Sequence, residues 1–347
     1  MNRQNNRNYS IEFWRFIFIG AICIMHFSNS YFGVSPYFDD AYVATEFFFI
    51  VSGYLLMKSF NKNKKNKICA WKFTINKVLR LYPYYILSFI AIFIFVMIND
   101  KASIMDWIIN LGGSVWELLF LQISGLKCFT LFNYPTWYIS AMLIVGYLIY
   151  ALLELFEETC IKIIMPVAIL VIYCFFSRES GSIDVWGGST ILGVSDALMR
   201  AFAGMSLGAI CYWASDALKQ MQLNKRIKII LSIVELLVFS LALGLMSQAG
   251  HTQLDFYIIG LLAVAVTVSF SEQTFLYRLF DSSFFSWIGK ISYPLFLNQI
   301  FVINIMGVAF VGLGYTSGII VFLLLLVLVS FIEIAIVEGM KKIFRKY

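Results

Sequence analysis

The chain has 347 residues, 61% hydrophobic and 18% aromatic but only 13% charged, with a net charge of +6. So few charges cannot cover a soluble surface, so the expectation is an all-α, polytopic integral membrane bundle in one domain; a soluble nucleic-acid-binding module finds no support. Six scattered cysteines, with no CxxC pair and no metal-ligand spacing, offer neither a disulfide framework nor a metal site.

The first stretch, Tyr9 to His26, is apolar and long enough to enter a membrane, yet it holds Glu12, Arg15 and His26. In an α-helix the steps from Arg15 to His26 return to within about 20° of one face, about 16 Å apart. Ionisable groups in a spanning helix are costly and mark function by default. The plainer account is an Arg snorkelling to the interface and a His bonded to a neighbouring carbonyl. No small-residue cleavage site follows, so the stretch reads as a retained span. Windows of about 20 apolar residues place ten spans at 10–30, 41–59, 80–98, 134–155, 160–177, 188–213, 227–248, 253–271, 284–305 and 315–338. Asp106 to Leu121, broken by Gly112 and Gly113 and carrying Glu117, reads as interfacial or re-entrant.

With a cytoplasmic N-terminus, Lys101, Lys127 and Arg178 fall outside and Arg15, Arg200 and Lys290 within spans; every other lysine and arginine is inside. Both termini are therefore expected in the cytoplasm, with Arg15 near the inner face and His26 far across. The inner run from Lys58 to Arg80 is denser in cations than topology alone requires. It reads either as attraction to anionic lipid or as a docking surface for a polyanionic donor. Within the spans, Asp196 and Arg200 stand at i,i+4 spacing and are expected to neutralise each other. Lys290 and Glu333 are either partners or cavity residues, and His251 is expected in an exposed outer turn.

Five blocks carry a family resemblance. EFWRFIFIGAICIMH spans Glu12 to His26, EFFFIVSGYLL spans Glu46 to Leu56, and KVLRLYPYY spans Lys77 to Tyr85. PTWYISAML follows from Pro135 to Leu143, and GKISYPLFLNQ from Gly289 to Gln299. In this order they resemble the membrane acyltransferase 3 family, bacterial integral-membrane O-acyltransferases that act on cell-surface glycans. Two positions depart from many relatives. Ala141 and Met142 follow Ser140 where glutamates are common, and Asn298 and Gln299 stand where a His is common. Asn and Gln hydrogen-bond but do not act as bases near neutral pH.

The resemblance implies a multi-pass protein of the bacterial inner (cytoplasmic) membrane, a single domain over 1–347 with no appended soluble domain. It implies O-acetyl or other acyl transfer from cytosolic acyl-CoA, acetyl-CoA foremost, to a hydroxyl of a surface polysaccharide or its lipid-linked precursor. No permanently bound cofactor is expected. His26 would be the general base, or carry the acyl group itself, with Arg15 beside it; Lys77, Arg80 and Arg15 would hold the donor. Glu12, Ser52, Trp137, Ser140, Tyr293 and Asn298 would contact the acceptor or support the site. For Ser52 and Gly53 a close helix contact is the stronger reading. A proton-coupled transporter or flippase for a lipid-linked sugar or small anion explains the same intramembrane charges without chemistry. A structural subunit of a polysaccharide assembly is a third reading.

Overall fold

The computed structural model describes residues 8–126, 128–185, 190–191, 194–247 and 250–344. Arg3, Arg7, Lys127, Arg345 and Lys346, which enter the charge bias, lie outside the described residues. The chain is a helical bundle. In order come α1 (Tyr9–Phe32), α2 (Ala44–Asn63), α3 (Ala70–Asn99), the short α4 (Ile104–Gly113) and α5 (Val115–Leu118), α6 (Trp137–Thr159) and α7 (Met165–Glu179). A two-residue antiparallel pair, β1 (Thr190–Ile191) and β2 (Val194–Ser195), leads into α8 (Asp196–Gln220). Then follow α9 (Lys225–Met246), α10 (Leu254–Phe270), the single turn α11 (Leu276–Leu279), α12 (Ser283–Ala309) and α13 (Tyr315–Phe344).

Among the described residues, eight helical runs are long and apolar enough to cross a membrane, and α10, at 17 residues, is a shorter apolar helix. The count falls short of ten by two: α10 is too short, and the fourth and fifth expected spans form one helical run from Tyr134 to Glu179, 46 residues long. At 1.5 Å per residue that is about 69 Å, more than twice the hydrocarbon thickness. The run therefore needs a bend, and Phe156 supplies it with φ −142° and ψ 51°, followed by a wider helical turn at Cys160–Ile164. The sixth span starts later than expected, at Asp196; residues 188–189 and 192–193 of that expectation lie outside the described residues.

Burial sorts the bundle into centre and periphery. In α2, 72% of the apolar window is buried inside the protein, against 22% in α9 and in α13. The outer helices turn large apolar side chains outward, among them Ile94 and Ile98 on α3, Leu170 on α7, Leu237 on α9 and Leu324 on α13. Such an apolar girdle suits lipid rather than water. Inside, Trp14, Phe18, Phe47 and Phe239 form one aromatic stack that ties α1 and α2 to α9.

α2 packs most extensively against α8, and glycine is the reason. A Cβ on Gly53 would fall on the backbone carbonyl of Met205, and one on Gly208 on that of Ile50. Without side chains at the crossing the two backbones meet directly, the small-residue contact favoured between membrane helices. The same pair of helices is pinned by a buried ion pair. Arg200 Nε donates to Glu46 Oε1 at 2.7 Å, Nη2 to the Tyr42 carbonyl at 2.8 Å, and Tyr173 Oη to Glu46 Oε2 at 2.7 Å. Arg200 thus takes its ion-pair partner from α2 rather than from Asp196 on its own helix. His251 is exposed, as expected, but held: its ring stacks on Tyr42, its Nδ1 lies 3.4 Å from Asp184, and its N–H donates to Asp40.

Candidate active site

α1 carries the first site groups because its start is fixed. The Asn8 side chain accepts a hydrogen bond from the Ile11 N–H at 3.2 Å, the N-cap arrangement. Glu12 then falls in the first turn, where a carboxylate suits the helix dipole, and it accepts a 2.9 Å bond from Arg15 Nη1. α12 lies close against this turn. A Cβ on Gly289 would meet the Glu12 carboxylate, so the glycine of the GKISYP block leaves room for the Glu12–Arg15 pair.

Beside that pair opens a cavity of about 680 Å³. Lys62 from the end of α2, Lys77 and Arg80 from the start of α3, Lys290 from the start of α12 and Arg15 from the start of α1 line one end. His26 and Trp137 line its deeper part. The gradient runs from a cluster of cations to a half-buried imidazole framed by aromatic rings. Midway, Ser52 Oγ and Tyr138 Oη are 3.1 Å apart. Trp137 is backed by the Arg200 guanidinium, 5.5 Å from its ring centroid, so the buried ion pair also steadies the cavity wall.

Among the described residues the imidazole has one hydrogen-bond partner. His26 Nδ1 and Tyr134 Oη are 3.1 Å apart, the two rings meeting edge to face. Tyr134 opens a single 3-10 turn, Tyr134–Thr136, that leads into α6. Its own place is set by Glu117, whose carboxylate accepts the N–H groups of Phe132 and Asn133 at 2.9 Å each. Asn133 Nδ2 then donates to the Leu297 carbonyl and to Ser88 Oγ, locking the segment onto α12 and α3. Glu117 lies outside the spanning helices, and burial pushes its carboxyl up to about 7 against the two hydrogen bonds that favour its charge.

The family model described as an acyltransferase domain, acyltransferase 3, matches residues 8–338. The chain belongs to the acyltransferase 3 family. It is therefore a membrane acyltransferase. No curated protein and no solved structure matches it.

In this acyltransferase the expected site residues fall into two groups. Arg15, His26 and Ser52 line the cavity, as do Lys77, Arg80, Trp137 and Tyr293. Glu12 stands behind Arg15. Ser140 and Asn298 do not line it. Ser140 Oγ donates to the Phe120 carbonyl at 2.7 Å, and Asn298 Nδ2 to Glu333 Oε2 at 2.7 Å. Glu333 is thus tied to Asn298, while Lys290 is a cavity residue. The sequence offers Tyr138, with Trp137 and Tyr293, as a ring for stacking on a sugar or for the interfacial belt, and Tyr138 lines the cavity. Tyr134 and Glu117 are the site residues it does not single out, although Glu117, a carboxylate inside the apolar run Asp106 to Leu121, is a visible signal.

Proposed function

We propose that the protein moves an acyl group, acetyl foremost, from cytosolic acyl-CoA to a hydroxyl of a surface polysaccharide or its lipid-linked precursor. The observation that carries this reading is the single cavity running from five clustered cations to His26. CoA presents phosphates at one end of a long arm and a thioester at the other, so cations at the mouth and a base at depth suit its two ends.

Helix polarity supports ten crossings with both termini on the cation-rich side. α1 and α12 start at the same end of the bundle, since Gly289 meets Glu12 and Lys290 shares the cavity with Arg15. An odd number of crossings must then separate the far end of α3 from the start of α12. Counting α6 and α7 as two crossings, joined at the bend, gives that parity with α8, α9 and α10. The positive-inside bias assigns the cation-rich end to the cytoplasm, in a bacterial inner membrane.

For His26 to act as base through Nε2, Nδ1 must carry the ring proton and donate it to the Tyr134 oxygen, which the 3.1 Å distance allows. Nε2 then takes the acceptor's hydroxyl proton while the oxygen attacks the thioester carbon. Collapse of the tetrahedral adduct breaks the carbon–sulfur bond, and the imidazolium returns the proton to the thiolate, leaving ester and free CoA. Arg15, Lys77 and Arg80 hold the donor throughout.

The experiment incubates purified protein in nanodiscs with radiolabelled acetyl-CoA and a cell-envelope glycan. Label reaches the glycan with the wild type and not with His26→Ala, while Lys77→Gln/Arg80→Gln weakens acetyl-CoA binding by calorimetry. A folded wild type that moves no label, while its proteoliposomes pass a lipid-linked sugar, sinks this reading in favour of transport.

A further inference from the structure

α9 carries a carboxylate into the protein interior without a counter-charge. Glu235 is fully buried, and among the described residues no ion pair includes it. Glu46, equally buried on α2, has Arg200. Glu235 Oε1 accepts from Ser10 Oγ at 2.5 Å, while Oε2 has no hydrogen-bond partner among the described residues. Two further hydroxyls, of Ser269 near the end of α10 and Thr274 in the turn beyond it, adjoin the same carboxylate without meeting hydrogen-bond geometry. Both are buried and unpartnered as well. Unpartnered buried oxygens gathered round one carboxylate call for a ligand that bridges them.

The surroundings hold these oxygens in place. Asn8, the cap of α1, donates through Nδ2 to the Ser269 carbonyl at 2.8 Å. The Phe275 N–H donates to Ser232 Oγ at 2.8 Å, which ties the turn after α10 to α9 beside Glu235. One turn deeper along both helices, Trp14 stacks on Phe239 with ring centroids 4.6 Å apart and closes the site toward the membrane interior.

The donor set selects the ligand. Every group in it is an oxygen, which suits hard cations and not the softer transition metals. Only one group carries charge, so a single positive charge balances the site and a divalent ion would stay under-compensated. α10 ends here, and the C-terminal end of a helix favours a cation. An anion or a neutral ligand would leave the buried carboxylate uncompensated, which is costly.

We propose that Glu235, Ser269 and Thr274 bind a monovalent alkali cation, Na+ or K+, that fastens the start of α1 to α9 and α10. Ser10 holds Oε1 and shares the first turn of α1 with Glu12, so the ion steadies the turn from which the Glu12–Arg15 pair begins. The inference stands apart from the acyl-transfer reading, because stability reads it without any substrate.

The test is the melting temperature of the full chain in nanodiscs, titrated with NaCl, KCl or choline chloride at matched ionic strength. Na+ or K+ should raise it saturably by about 2–4 °C, and choline, too large to enter, should not. Glu235→Gln keeps the size of the side chain and removes its charge, so the alkali effect should vanish. Thr274→Val keeps the shape and removes one oxygen, and the salt concentration at half the shift should rise about tenfold. Equal melting temperatures in the three salts overturn the proposal and leave a buried water or a protonated carboxyl in its place. A shift that survives Glu235→Gln places the ion elsewhere and overturns it too, as does a shift produced by CaCl2 alone. If Glu235→Gln does not fold, Thr274→Val decides, and an unchanged half-shift concentration there overturns the site.

Discussion

The Tyr134 hydroxyl stands 3.1 Å from His26 Nδ1, and it is the ring nitrogen's one hydrogen-bond partner among the described residues. A phenol in this position holds the ring's orientation, and by accepting from Nδ1–H it supports the tautomer in which Nε2 is free to act as a base. Tyr134→Phe keeps the ring contact and deletes the hydrogen bond. We expect kcat to fall about tenfold to a hundredfold, within the usual contribution of a positioned acid or base. KM for acetyl-CoA and the melting temperature should hold. A loss of stability matching the loss of rate would instead make Tyr134 a packing residue.

The crossing of α2 and α8 depends on Gly53 and Gly208, whose missing Cβ atoms would each strike a backbone carbonyl of the other helix. Because backbone cannot swing aside as a side chain does, Gly53→Ala or Gly208→Ala should cost about 1–3 kcal/mol or more. Gly20→Ala is the control: its Cβ meets nothing within 4 Å, and in mid-helix the change should be neutral or stabilise by up to about 1 kcal/mol. Thermal-shift measurements in one detergent decide; equal melting temperatures for all three variants would refute the close-approach argument.

The Glu46–Arg200 pair is fully buried, with side-chain exposures of 0% and 1%. Removing one member leaves the other charge uncompensated in an apolar interior, so Glu46→Leu and Arg200→Leu should each destabilise by about 3–5 kcal/mol. The double variant should lose clearly less than the sum of the two, which a double-mutant cycle reads directly. Additive losses would mean that each residue is held by its other contacts.

Hydropathy made most crossings legible, since a helix in lipid satisfies its own backbone and needs only an apolar surface. The ion-pairing of Glu12 with Arg15 was legible too, because it is local. What escaped is tertiary. Arg200 passes over its i,i+4 neighbour for a glutamate 154 positions away, as a buried guanidinium takes the partner that packing delivers. The bend at Phe156 has no glycine or proline to announce it. Tyr134 reads in the sequence as one more aromatic near a helix end, and it is brought to His26 only by tertiary structure, with Glu117 holding Phe132 and Asn133.

That fold turns on a carboxyl whose ionisation is costly. Glu117 lies outside the spanning helices and accepts the N–H groups of Phe132 and Asn133, yet burial raises its carboxyl from 4.5 to about 7. Below the ordinary value both folded and unfolded chains hold the proton, and this group's contribution to stability is fully present. Between the two values the unfolded chain releases the proton and the folded one keeps it, so stability drains away as pH rises, by about 3 kcal/mol, and levels off above pH 7. Glu117→Gln removes the titration but also replaces one acceptor oxygen with an NH2 that faces a backbone N–H. The variant should therefore be the less stable form near pH 5, and the gap should narrow or invert by pH 8. Its kcat should fall at every pH, because the segment that sets Tyr134 beside His26 loses one of its two anchors. A gap in melting temperature that stays constant from pH 5 to pH 8 would show that Glu117 does not titrate in this range.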